Sequence, residues 1–256
     1  MHVRLPKPLH GWRAFAGEVG IVVLGVLIAL GAGQVVQTIH DRQAAAHASV
    51  SIKWELARQR LDALERLAVQ PCLTGQLNRL SARLAAFRGG EWAAMPMNVA
   101  QASVNSSQWS TVQAYRAPER LWVSEAWQTA RSNGSLNYLP DATVSADAEL
   151  YNRGERIRLL QAQESDAAAE LAPLALDGPI DVATRASLLG EIAKVDHANA
   201  VMVYEARALI VELDPLLRDL PRQEIDRQVA QMLAVERKLR GSCVLDLKLP
   251  DEERRS

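Results

Sequence analysis

Residues 19–33 read VGIVVLGVLIALGAG, and this stretch decides the architecture of the chain. It contains no charged residue, and the apolar character extends from Ala14 to Ile39 if Glu18 and two glutamines near the ends are tolerated. At a rise of about 1.5 Å per residue, a helix of this length can cross a bilayer core that is about 30 Å thick. The sequence therefore predicts one transmembrane helix over residues 14–39.

The charges on either side of this helix predict its orientation. Three basic residues and no acidic residue precede it, whereas the first charges that follow it cancel each other. Because basic residues are retained on the cytoplasmic side of bacterial membranes, we expect the N-terminus to lie in the cytoplasm. The preceding basic residues are Arg4, Lys7 and Arg13, and the cancelling pair is Asp41 and Arg42.

A cleaved signal peptide is the alternative interpretation, because a basic segment before a short apolar run is typical of signal peptides as well. A retained anchor is favoured because the basic segment is long, Glu18 precedes the apolar run and no clean Ala-x-Ala motif follows Leu30. We therefore expect a bacterial inner-membrane protein with four parts. These are a cytoplasmic N-terminus (1–13), the transmembrane helix (14–39), a periplasmic helical domain (40–245) and a polar tail (246–256).

Small residues form a strip along one side of the predicted transmembrane helix. Gly25, Ala29 and Gly33 recur every four residues, and Val22 and Glu18 continue the strip toward the N-terminus. Small side chains let two membrane helices approach closely, and an acidic residue in such a segment usually faces protein or water. The strip is therefore a candidate helix–helix interface. The simpler interpretation of Glu18 is a carboxylate at the membrane surface that water can reach.

The same segment resembles a known sequence pattern. Residues 17–30, GEVGIVVLGVLIAL, are similar to the Gly-Glu-Ile-x-Ile-Val-Val-x-Gly-Val-Leu-Ile-Ala-Leu segment that opens an uncharacterised family of bacterial single-pass membrane proteins. Beyond residue 40 only residues 127–151 look similar. The resemblance implies a protein of similar size with one anchor and a helical remainder, and it implies no activity.

The rest of the chain has the composition and periodicity of helices. Alanine is abundant and only 5% of the residues are aromatic, while apolar positions recur at spacings of three and four between Gly and Pro residues. We find no convincing strand pattern, so the predicted fold is all-α: one N-terminal transmembrane helix that continues into an antiparallel helical bundle. Beyond the anchor, Pro71 is expected to end the first helix, and the later helices are predicted over residues 74–88, 107–115, 118–132, 141–172, 188–213 and 221–240.

Two features of the predicted bundle concern its packing. Asn199 is a polar insertion in the apolar stripe from Leu188 to Leu213, and such a residue more often sets helix register or contacts solvent than binds a ligand. Cys72 and Cys243 each follow a predicted helix, so both can lie at one end of the bundle. An exported domain would let them form a disulfide; the alternative is two free buried thiols.

The sequence offers little evidence for chemistry. A formal net charge of -1 gives no sign of the excess basic charge that is typical of nucleic-acid-binding domains. The five histidines are not spaced as metal ligands, and nucleotide, phosphate and nucleophile motifs are missing from the sequence, so we predict no enzyme activity and no cofactor or metal. Aromatic residues concentrate in one irregular region, where they either fill one end of the core or form a ligand pocket or partner surface: Trp92, Trp109, Tyr115, Trp122 and Trp127.

Three functions are compatible with these features. We favour a non-enzymatic inner-membrane scaffold or sensor that acts through helix–helix contacts, with the lipid bilayer and either itself or another membrane protein as partners. A periplasmic ligand-binding sensory module would use the aromatic region as its pocket. An accessory subunit of an ion-driven membrane complex would use Glu18.

Overall fold

The computed structural model describes residues 12–95 and 113–247 of the chain. A single helix, α1 (Trp12–Ala86), accounts for 75 of them. Its N-terminal part is long and apolar enough to cross a membrane, and the most apolar stretch is not buried anywhere in the protein. The same helix continues without interruption into the folded domain, where Ala45 and Ile52 are its first buried apolar residues.

Pro71 lies inside α1, so the prediction that it ends the first helix and that a second begins at Thr74 is wrong. Proline inside a helix removes one backbone hydrogen bond and costs about 3 kcal/mol. The ring of Pro71 is exposed, and apolar side chains continue at helical spacing beyond it. Burial of each large apolar side chain contributes about 1.5 to 3 kcal/mol, which outweighs that cost. The buried residues around and beyond the proline are Val69, Leu73, Leu77, Leu80 and Leu84.

The remaining described elements are mostly helical, which confirms the predicted all-α fold. In chain order the elements are β1 (Gly90–Trp92), α2 (Glu125–Ser132), the 3-10 helix η1 (Ser135–Tyr138), α3 (Asp141–Ala169), η2 (Ala172–Ala175), β2 (Gly178–Ile180), α4 (Val182–Leu216), α5 (Arg222–Arg240) and η3 (Gly241–Cys243). The longest two after α1, α3 and α4, pack against each other, and α4 also packs along α1. Side chains of α3 contact α1 through hydrogen bonds.

Contacts between the helices fix their directions. Arg185 near the start of α4 donates to the carbonyl oxygen of Leu84 near the end of α1, at 2.8 Å. At the other end of α4, Asp219 pairs with Lys53 at 2.9 Å, so α4 is antiparallel to α1. α3 contacts α1 first near Glu55 and later near Arg66 as both chains advance, so these two helices run in the same direction.

Residues 113–124, which we call the strap, return along α1 toward the candidate membrane span. Arg116 contacts Gln76 and Val123 contacts Gln59, so a separation of seven residues in the strap matches a separation of 17 residues along α1, about 26 Å. The strap is therefore extended. The predicted helix over 118–132 is therefore helical only from Glu125 onward. Of the predicted helix over 107–115, only its last three residues are described, and they are not helical.

A two-stranded antiparallel sheet closes the end of the bundle away from the candidate span. β1 pairs with β2 so that Gly90 lies opposite Ile180 and Trp92 opposite Gly178. These strands were not predicted, because alternation of apolar and polar residues cannot be recognised over three residues. The sheet places Trp92 against the core, where 2% of its surface is exposed.

A close approach between α1 and α3 predicts the effect of one substitution. A Cβ atom on Gly154 would lie 2.6 Å from Oε1 of the buried Gln59, whose amide is held by the Val123 carbonyl oxygen. Gly154→Ala should therefore lower the free energy of unfolding by about 1 to 3 kcal/mol, measured by denaturant titration of the detergent-solubilised chain. Gly190, on α4 with nothing within 4 Å of its Cβ position, is the matched control. Gly190→Ala should be neutral or stabilise by up to about 1 kcal/mol, and equal losses for both variants would contradict this packing.

Candidate functional site

The small-residue strip of the candidate span is fully accessible. Glu18, Val22, Gly25, Ala29 and Gly33 all lie on α1 and are all exposed. A Cβ atom built on Gly25 or Gly33 would meet nothing within 4 Å. This face of the helix is therefore open to a second helix.

Cys72 and Cys243 are joined in a disulfide with a Cα–Cα distance of 5.1 Å. Cys72 lies within α1 and not after a helix end as predicted, because α1 continues past Pro71. Next to the bridge, the backbone N–H of Leu245 donates to the carbonyl oxygen of Ala68 at 2.8 Å. These contacts attach the segment after α5 to the part of α1 around Pro71.

The predicted aromatic surface is divided among different parts of the core. Trp92 lies near the small sheet and donates from Nε1 to the Leu174 carbonyl oxygen at 3.1 Å. Trp122 belongs to the strap and is buried. Trp127 is half-buried and stacks on Tyr151, with ring centroids 5.2 Å apart. Trp109 lies outside the described residues. Trp92 thus lies in a different apolar cluster of the core from Trp122 and Trp127.

Tyr115 belongs to a buried polar cluster around Arg66. The two terminal nitrogens of Arg66 donate to the carboxylate of Glu164 at 2.8 and 2.5 Å, and one of them also donates to Asn199 Oδ1 at 2.6 Å. The Tyr115 hydroxyl donates to the same carboxylate at 2.7 Å. All four side chains are buried, and we call them the polar layer.

The electrostatics of the polar layer follow from burial and pairing. Burial acts to lower the pKa of Arg66, but the adjacent Glu164 carboxylate outweighs it and raises that pKa. Burial raises the pKa of Tyr115 well above its usual range, and Glu164 raises it further. Arg66 therefore stays charged and Tyr115 stays protonated across the physiological pH range.

The polar layer separates two apolar halves of the core. It takes one residue from each of the three long helices, and the apolar residues on either side belong to different clusters. A shift of any one helix along its axis would move a charged or amide group into an apolar region, which is costly. The neighbours on the side of the small sheet are Val69, Ala167 and Val195, and those on the side of the span are Ala63, Ile157 and Met202.

Side chains satisfy the backbone of the strap, which lacks the regular hydrogen bonds of a helix or sheet. The amide of Gln161 accepts from the Arg120 backbone N–H at 3.0 Å and donates to the Arg120 carbonyl oxygen at 2.9 Å. Gln59 Nε2 donates to the Val123 carbonyl oxygen at 2.8 Å, and Arg240 donates to that of Arg116 at 3.1 Å. Since unpaired buried backbone groups are costly, these contacts explain why long polar residues lie inside the bundle.

Arg120 of the strap also joins a group of acidic residues. It pairs with both oxygens of Glu65 and lies 3.8 Å from Asp62. Burial raises the pKa of Asp62 to about 6, although Arg58 and Arg120 oppose this. Burial likewise raises the pKa of Glu236, which pairs with Arg240. The pairs of Arg120 attach the strap to α1, whereas the pair of Glu236 and Arg240 lies within α5.

Glu55 connects α1 to the short helix that follows the strap. Its carboxylate accepts from the backbone N–H of Ala126 at 2.9 Å and from the Tyr151 hydroxyl at 2.6 Å. A carboxylate at a helix N-terminus satisfies free N–H groups and interacts favourably with the helix dipole. Glu55 therefore fixes α2 and α3 against α1 at one level of the bundle.

Comparison of the chain with protein-family models, with curated proteins and with solved structures finds no match. Among the described residues, no group of three or more His, Cys, Asp or Glu side chains could hold a metal ion. The buried carboxylates of Glu164 and Glu65 pair with arginines, so the direct effect of this arrangement is to fix the positions of α1, the strap, α3 and α4.

The buried ion pair predicts a non-additive pair of substitutions. Arg66→Met leaves Glu164 as a buried charge without a partner and should lower the free energy of unfolding by about 3 to 5 kcal/mol. Adding Glu164→Gln removes that charge and keeps an oxygen for the Tyr115 hydroxyl, so the double variant should lose less than Arg66→Met alone. Denaturant titration monitored by tryptophan fluorescence measures both. A double variant at least as unstable as the single one would show that the two charges are not coupled.

Asp147 predicts a pH dependence of stability. Burial raises its pKa from the ordinary 3.8 to about 6, despite the opposing charge of Lys53. The folded protein therefore binds this proton more tightly than the unfolded chain, and the contribution of Asp147 to stability falls as pH rises from about 4 to about 6. Asp147→Asn should raise the free energy of unfolding at pH 7.5 by about 1 to 2 kcal/mol more than at pH 4.5. Asp226→Asn, at an exposed position, is the control. An equal gain from Asp147→Asn at both pH values would contradict the raised pKa of Asp147.

Proposed function

We propose that this protein is a non-enzymatic inner-membrane scaffold or sensor that acts through contacts between membrane helices. The observation that carries the proposal is the continuity of α1, which joins the candidate span to the centre of the bundle without a flexible linker. A rotation or displacement of the span is then conveyed to the domain, and the reverse also holds. A protein attached through a disordered linker could not transmit such a movement.

Three further features support this function. The strip of Glu18, Val22, Gly25, Ala29 and Gly33 is exposed and narrow enough for close approach of a second helix. The basic residues before the span favour a cytoplasmic N-terminus and hence a periplasmic domain. A disulfide persists in the periplasm, where thiols are oxidised, and the bridge between Cys72 and Cys243 fits that compartment.

The partner of the strip is a second copy of this chain or another membrane protein, and crosslinking identifies which. Since both native cysteines form the disulfide, Ala29→Cys provides a free thiol on the strip that can carry a benzophenone photo-crosslinker. Illumination of native membranes should give protein–protein adducts, and mass spectrometry of these adducts identifies the partner. The proposal expects severalfold more adduct from this position than from the opposite face.

Leu27→Cys is the matched control, because residue 27 is exposed and lies about 200° around the helix from residue 29. Both labels lie at nearly the same depth in the membrane, so lipid reactions affect them equally. Equal adduct yields from the two positions, or none from Ala29→Cys, would contradict the proposed interface.

A further inference from the structure

The end of the bundle nearest the span carries a short exposed turn. Asp41 lies two residues beyond Ile39, the last apolar residue of the span, and its carboxylate accepts from Gln37 and from the Tyr138 hydroxyl, both at 2.8 Å. Tyr138 belongs to η1, whose Leu136 packs against the core and whose Ser135 is buried. These contacts hold η1 against the side of α1 where the span ends.

The position of Asp41 along α1 sets the depth of this turn. If the hydrocarbon region ends near Ile39, Asp41 lies about 3 Å beyond it. The headgroup layer on each side of a bilayer is about 5 to 8 Å thick, so the carboxylate and the bonded tyrosine hydroxyl fall within it. Since α1 is continuous here, η1 cannot be distant from the lipid when the span is inserted.

The chemistry of the turn suits that layer. The Tyr138 side chain is 47% exposed although its hydroxyl is hydrogen-bonded, so an apolar ring face and a polar tip are both presented. Tyrosine is enriched at membrane–water interfaces for this reason. The neighbouring Leu139 is half-buried and Pro140 is exposed, and neither adds a charge that would oppose contact with lipid headgroups.

We propose that η1 and the two residues after it form a lipid-contacting turn, which rests in the headgroup layer of the same bilayer that α1 crosses. This inference rests on the proposed membrane anchor. It gives the domain a second contact with the membrane, beside the span, and thereby fixes the tilt of the bundle relative to the bilayer. The α4–α5 turn does not share this contact, because the pairing of Asp219 with Lys53 places it about 18 Å further along α1.

Depth-dependent fluorescence quenching tests the turn in the full chain reconstituted into phosphatidylcholine vesicles. The exposed Asn137 is replaced by cysteine and labelled with the fluorophore NBD, and vesicles contain lipids with a nitroxide on the headgroup. The matched control is Arg218→Cys, an exposed position in the α4–α5 turn. The headgroup nitroxide should quench the label at 137 at least about twofold more than the label at 218, given the thickness of the headgroup layer.

A third label, at residue 24 within the span, distinguishes failure of the lipid-contacting turn from failure of the membrane anchor. Leu24→Cys with NBD should be quenched by lipids that carry the nitroxide on the acyl chain. If residue 24 is quenched but residues 137 and 218 respond equally, the lipid-contacting turn is overturned and the anchor stands. If residue 24 is not quenched in vesicles, the anchor itself is overturned, and the turn with it.

Discussion

The pairing of Arg66 with Glu164 is the constraint on which the rest of the structure depends. Both groups are buried, and Asn199 and Tyr115 complete their hydrogen bonds, so four segments of the chain meet at one level. Arg66 Nε and Asn199 Nδ2 remain without a partner among the described residues, so the layer is not optimised for stability. We infer that it fixes the register of α1, α3 and α4, since buried polar groups can serve that purpose at a cost in stability.

The strap depends on the same constraint. An extended segment inside a helical bundle needs hydrogen-bond partners for its backbone, and these come from long polar side chains of α1, α3 and α5. They reach the strap only if the helices stand in the correct register. The Arg120 pairs with Glu65 and Asp62, on the face of α1 next to Arg66, then connect the strap to the layer. The register of the helices and the path of the strap therefore depend on each other.

Sequence patterns predicted the features that depend on a single continuous segment of the chain. The apolar span follows from consecutive side chains, and Asn199 is visible because it interrupts an apolar stripe. Glu164 interrupts the α3 stripe between Leu160 and Ala167 in the same way, but glutamate is also common on exposed helix faces. The layer and the strap arise from contacts between distant parts of the chain, with Arg66 and Asn199 133 residues apart. Local rules also fail at Pro71, because burial of residues beyond it outweighs the local cost.

We infer that α1 connects the candidate span to the bundle as one rigid helix. Double electron–electron resonance between spin labels at residues 36 and 58 tests it directly, because both positions are exposed and they lie on either side of the junction. In the full chain reconstituted into vesicles, an unbroken helix predicts a single narrow distance distribution centred near 33 Å, from 22 residues at about 1.5 Å each. A broad distribution, or one centred well below that distance, would contradict the claim.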